Sequence, residues 1–232
     1  MPVVDLATAN EFALALGREL APDERDLLAD ELARRHDHAL ALASAPTEEA
    51  VASLLGLVFG IRSRARALLA EVGHEELGTL VAAIGATTDR AELLEQAKSI
   101  PIDPTLASEL VGELVHLLHP REVPLLRRWV LDQEEETGAL CLLVADPALA
   151  WSAPDAAPLA VAVRAELEEV GLVRAHPDPW HFDVFLAGVY GVYCATVIRL
   201  RMTKEFGGLL PGLGELMGRM LGVRGGVHAH RR

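Results

Sequence analysis

The sequence predicts an all-α protein, an irregular multi-helix bundle of roughly nine or ten helices with a long core helix near the C-terminus. Three observations predict it. Strand signals are nearly absent: aromatic residues are 4% of the 232 residues, and few short runs alternate with period 2. Apolar residues make up 51% of the chain and recur at spacings of three and four. Asp-Pro occurs at Asp103-Pro104, Asp146-Pro147 and Asp178-Pro179, where Asp can cap a helix and Pro fits its first position.

Taken in order, a first helix is expected over 8–19 and a second from Pro22 to Ala43. A third starts after Thr47, with Glu48 and Glu49 at the positive end of its dipole, and runs to Val72 before Gly73. Its apolar stripe is Val51, Leu54, Leu55, Val58, Ile61, Ala65, Leu68, Leu69 and Val72. Shorter helices follow at 75–84, 89–98 and 104–118, the last stopped by His119-Pro120, and another begins near Pro124 and runs to 131. The acidic run Asp132 to Glu136 reads as a solvated turn, and 138–145 fits either helix or buried strand. Residues 1–145 thus form an N-terminal helical bundle. Residues 146–158, with three prolines, form a Pro/Ala-rich connector. A C-terminal helical unit over 159–223, packed on the same core, holds a helix at 159–170 that stops at Gly171 and a long helix from Pro179 to Phe206. A Gly/Pro segment precedes a short helix at 213–221, and 224–232 is an expected disordered tail.

Composition limits the chemistry. The 21 basic and 34 acidic residues give a net charge of −13, the wrong sign for a bulk binder of nucleic acid or anionic lipid. A mean hydropathy of +0.25 excludes wholesale disorder. Two cysteines, Cys141 and Cys194, make neither a disulfide scaffold nor a four-cysteine zinc site. The N-terminus does not read as a signal peptide, so the expected location is cytoplasmic. Val184–Ile198 is apolar but only 15 residues long, short of the roughly 20 that a span needs. No membrane span and no nucleic-acid partner are expected.

The most informative segment is that long C-terminal helix. Five of the ten aromatic residues, Trp180, Phe182, Phe185, Tyr190 and Tyr193, fall within it. Ala187, Gly191 and Ala195 repeat every fourth residue, a small-residue stripe that lets another helix approach closely. One reading is the central helix of the core. The other is a pocket or partner seam with Tyr190 and Tyr193 along it.

Catalytic patterns are mostly missing. There is no Gly-x-Ser-x-Gly elbow and no Gly-Lys-Ser/Thr loop. Both cysteines sit in apolar runs, which keeps a thiol protonated. Glu-x-x-His occurs twice, at Glu71…His74 and Glu113…His116, close to what 22 Glu and nine His give by chance. Glu113, His116 and His119 share one helix face and form the candidate metal set, with helix capping by His119 as the alternative. No cofactor is expected. Residues 159–174 resemble the helix-then-strand edge of a winged helix, but Glu166, Glu168 and Glu169 face phosphates with the wrong sign. Size, charge and helicity fit the helical chaperones that mature redox enzymes, but Pro177-Asp178-Pro179-Trp180-His181 is only a faint trace of their acidic Pro-Asp-His segment and no resemblance is claimed. The other signature segments are missing, so no family is assigned.

The favoured function is a non-enzymatic interaction protein: an assembly factor, dedicated chaperone or regulatory subunit that binds another protein, or itself, through apolar helical surface. The apolar 209–223 segment, with Leu213, Leu216, Met217 and Met220, has the form of a helix that docks into a groove or closes its own core. The alternative is a helical enzyme or ligand- or metal-binding protein. Its pocket would lie between 104–131 and the 179–203 helix, drawing on Glu113, His116, His119, Trp129, His181, Tyr190 and Tyr193. A winged-helix-like transcription regulator is the second alternative.

Overall fold

The computed structural model describes residues 2–152, 156–174, 179–201 and 211–223. Pro177 and Asp178, the expected helix beyond 201, residues 207–210 of the Gly/Pro segment and the tail with His228 and His230 lie outside the described residues. Among the described residues the protein is all-α, with twelve helices and no extended strand beyond two isolated bridges.

The helices begin where local chemistry supplies caps. α1 (Leu6–Glu19) starts at Asp5, whose carboxylate accepts from the amides of Ala7 and Thr8. α2 (Pro22–Ala43) has Pro at its first position, and the Glu24 side chain accepts from the Ala21 amide, half of a capping box. α3 (Glu48–Leu57) is capped by Thr47, α6 (Arg90–Ala97) by Asp89 and α7 (Pro104–Leu118) by Asp103. α4 (Ala65–Val72) and α5 (His74–Ala86) meet at Gly73, whose φ of 101° suits only glycine. α8 (Ala139–Leu143), α9 (Ala148–Ser152) and α10 (Ala157–Glu169) are short to medium. α11 (Trp180–Arg201) is the long C-terminal helix. α12 (Leu213–Leu221) ends in a Schellman motif, with Gly222 left-handed and the Val223 amide bonded to the Gly218 carbonyl.

The chain forms two compact units. One is contiguous, Ala33–Leu125. The other joins Met1–Leu32 to Leu126–Arg232. This division differs from the one expected at 146–158: the described part of that connector lies inside the discontinuous unit, and 148–152 is helical. The reason lies at the N-terminus. The Glu166 carboxylate of α10 accepts from the amides of Val3 and Val4 at 2.8 and 2.7 Å, and Val4 bridges to Val144. The first residues are thereby tied to elements more than a hundred positions away.

Within 33–125, α3 to α7 and the end of α2 enclose an aliphatic core that includes Leu54, Leu55, Ile61, Leu110 and Leu114. The expected single helix from Thr47 to Val72 is broken at 58–64. There the Glu113 carboxylate accepts from the Phe59 amide at 2.8 Å. Gly60 leaves room for the Glu109 carboxylate, which a side chain would strike. Val58 and Ile61 remain fully buried, so the apolar stripe survives the break.

The expected helix from Pro124 to 131, which spans the boundary into the discontinuous unit, is replaced by irregular chain and turns. Asp132 and Thr137 bridge across the acidic turn, and the Ala139 and Leu140 amides bond to the Trp129 and Val130 carbonyls. Gly138, with φ 124°, makes this possible: a Cβ there would lie 2.7 Å from the Val130 carbonyl carbon. α11 packs against α1, α8 and α12.

Candidate functional site

α11 positions most of the residues singled out in the sequence. Its first half is mostly enclosed, with Phe182, Val184, Phe185, Leu186, Ala187 and Val189 all buried. Asp183 is buried among them at 2% exposure. Gly188 permits close approach to α1, since a Cβ there would lie 2.7 Å from Leu16 Cδ2. Gly191 does the same toward α12: its missing Cβ would lie 2.7 Å from Leu213 Cδ1 and 3.5 Å from Met220 Cε. The small-residue stripe therefore receives the chain's own α12, with Leu216 also against Gly191 and Met217 fully buried. Arg127 Nη1 donates to the Met220 carbonyl at 2.6 Å and holds the last turn of α12.

Trp180–Ile198 is long and apolar enough to cross a membrane by length and composition, and half of it is buried inside the protein. Burial ends partway along α11. Tyr190, Val192, Cys194, Ala195, Val197 and Ile198 are half-buried, and Tyr193 is 36% exposed. The Tyr190 and Tyr193 rings lie 5.9 Å apart, tilted by 34°. Burial, and then the adjacent Cys194, push the Tyr190 phenol up from its ordinary value. Beside this half runs a cleft of about 310 Å³, lined by Ala15, Arg18 and Glu19 of α1, Val192, Ala195 and Thr196 of α11, and residues 211–213 and Leu216.

A second cleft, of about 180 Å³, lies at the other end of α11. Its floor is apolar, with Leu16, Val184 and Phe185 buried. Its polar wall is Arg25 and Asp26 of α2, Arg174 beyond α10, and His181 of α11. His181 Nε2–H donates to Asp26 Oδ1 at 2.9 Å, and Arg174 Nη2 lies 3.6 Å from the same oxygen. The His181 bond, followed by the positive charges of Arg174 and Arg25, outweighs the opposing effect of burial and holds the Asp26 carboxyl below its usual range.

The expected metal set is not assembled. His116 Nδ1–H donates to the Val123 carbonyl at 2.8 Å, and His119 Nε2–H donates to the Ile84 carbonyl at 2.8 Å. Glu113 accepts from Phe59. The two imidazoles thus serve different backbone segments, and no group of three or more His, Cys, Asp or Glu among the described residues is placed to hold a metal ion. These three residues belong to 33–125, whereas Trp129, His181, Tyr190 and Tyr193 belong to the other unit. Trp129 is half-buried, with no acceptor for its indole N–H among the described residues.

Neither cysteine is an activated nucleophile. Burial pushes both thiols up, against a smaller lowering by Trp151 at Cys141 and by Tyr190 at Cys194. Asp26 and Arg174 were missed in the sequence. Asp26 lies 155 positions from His181, and nothing local marks either residue. No protein-family model, curated protein or solved structure matches the chain.

Proposed function

We propose that the chain is a non-enzymatic interaction protein that binds a partner protein on the apolar surface formed by α1 and the second half of α11. The observation that carries this reading is the change along α11. The helix stays apolar beyond Val189 but loses its cover, and the 310 Å³ cleft opens beside it. Leu14 of α1, 62% exposed, stands one turn before the cleft residue Arg18 and adds an exposed apolar side chain beside the cleft. A cleft between helices, flanked by Leu14 and Tyr193, fits an amphipathic helix that inserts apolar side chains at helical spacing. The net charge of −13 favours a basic partner helix over a second copy, because two acidic copies repel and a basic partner is steered in.

The test is site-specific photocrosslinking in cells of the natural source, with p-benzoylphenylalanine in place of Tyr193 or Leu14. Phe59, exposed in the other unit, serves as the control position. One polypeptide is expected at fixed stoichiometry from Tyr193 and Leu14, absent from Phe59, and lost in Ala195→Arg. Crosslinks only to a second copy, or equal yield from Phe59, overturn the reading.

A further inference from the structure

The smaller cleft is independent of the protein-binding surface, and its chemistry points elsewhere. In a chain of net charge −13, its ionisable lining is two arginines, one histidine and one aspartate. Asp26 offsets one of those positive charges, and both of its described contacts converge on Oδ1. The Arg25 Nε–H is buried and has no acceptor among the described residues. Arg174 makes no hydrogen bond among the described residues, and its Nη2 lies 3.6 Å from Asp26 Oδ1. Guanidinium groups match planar carboxylates, to which they donate in pairs. Behind them lie Leu16 and Phe185, which offer nothing to a polar body. The cleft, of about 180 Å³, suits a head group with a short branched stem.

We infer that the cleft between α2 and the start of α11 binds the carboxylate of a small apolar acid, with Arg25 and Arg174 on the carboxylate and Leu16 and Phe185 on the aliphatic stem. Asp26 holds the His181 ring in place at the wall and keeps Arg174 near the mouth. The same chemistry is offered by a free branched-chain acid and by the C-terminus of a peptide ending in an aliphatic residue.

Isothermal titration calorimetry on the full chain separates these sources. The probes are 4-methylpentanoate, N-acetylglycylleucine, the amide of that dipeptide, and inorganic phosphate. Saturable binding of at least one carboxylate is expected, with the amide and phosphate weaker by about tenfold or more. Binding of 4-methylpentanoate alone assigns a free acid. Binding of the dipeptide alone assigns a peptide terminus. Arg174→Gln, at an exposed position, is expected to weaken binding about tenfold with an unchanged unfolding midpoint. Arg25→Gln gives an independent second loss. Equal binding of the amide, tighter binding of phosphate, undiminished binding by Arg174→Gln, or no saturable heat from either carboxylate overturns the assignment.

Discussion

The two units solve the same packing problem with different residues. Residues 33–125 contain one aromatic side chain, Phe59, and close their core with Leu, Val, Ile and Ala. The Phe59 ring, at the surface, is covered by the Arg62 guanidinium at 4.5 Å. The buried histidine of this unit, His116, bonds to a backbone carbonyl. The discontinuous unit holds the other nine aromatics and packs α11 through glycines against Leu16 and Leu213. Both clefts and most of the exposed large apolar side chains belong to it. Aromatic and small-residue packing leaves steps between helices, and the clefts occupy those steps.

The contrast can be broken most directly in the closed unit. Leu110 is fully buried, so Leu110→Ala is expected to cost about 2–5 kcal/mol in urea unfolding followed by far-ultraviolet circular dichroism. Leu14→Ala, at an exposed position of the other unit, should stay within about 0.5 kcal/mol. Equal losses from the two would erase the distinction. Trp129, Trp151 and Trp180 all lie in the discontinuous unit, so tryptophan fluorescence in the same titration isolates its transition.

The next effect sharpens the claim about small-residue packing. Gly188→Val drives a side chain into Leu16, and overpacking of this kind costs about 1–3 kcal/mol. Gly17→Ala on α1 meets nothing within 4 Å and should be neutral or slightly stabilising in thermal unfolding.

A smaller effect comes from acid. The Asp26 carboxyl is held below its usual 3.8, so its stabilising contribution is full above 3.8 and is lost as pH falls through the lowered value. Asp26→Asn should flatten the fall of the unfolding midpoint on that acid side. Asp26 is 42% exposed, so screening limits the change to about 0.5 kcal/mol. An unchanged acid limb would show that the His181 contact adds nothing to folding. Smallest of all, Tyr193→Ala should change the free energy of unfolding by less than about 0.5 kcal/mol while removing the partner crosslinked from Leu14.

Element identity was legible wherever the signal was local. Pro22 and Asp103-Pro104 carry their own boundary chemistry, and α2 and α7 begin where those residues imply. The break at 58–64 was not legible, because it depends on Glu113, 54 positions along the chain, taking the Phe59 amide. The unit boundary was hidden for the same reason: prolines mark 146–158, but Glu166 and Val144 decide where the N-terminus belongs. His181, Tyr190 and Gly191 were identifiable from composition along one helix. Their partners Asp26, Leu16 and Leu213 come from other helices and leave no periodic trace.

The Glu166 clamp on Val3 and Val4 also sets an order in time. The contiguous unit is complete once residue 125 has been made, whereas α1 must wait for α11 before Leu16 finds Gly188. At ribosomal rates of about 5–20 residues per second, that delay is roughly 10–40 s. Throughout it α1 keeps an apolar face without its native cover, and once residue 125 has been made it does so tethered to the contiguous unit. A slowly closing discontinuous unit is the stage at which this chain is most open to capture or misassembly, and its first helix is the segment exposed longest.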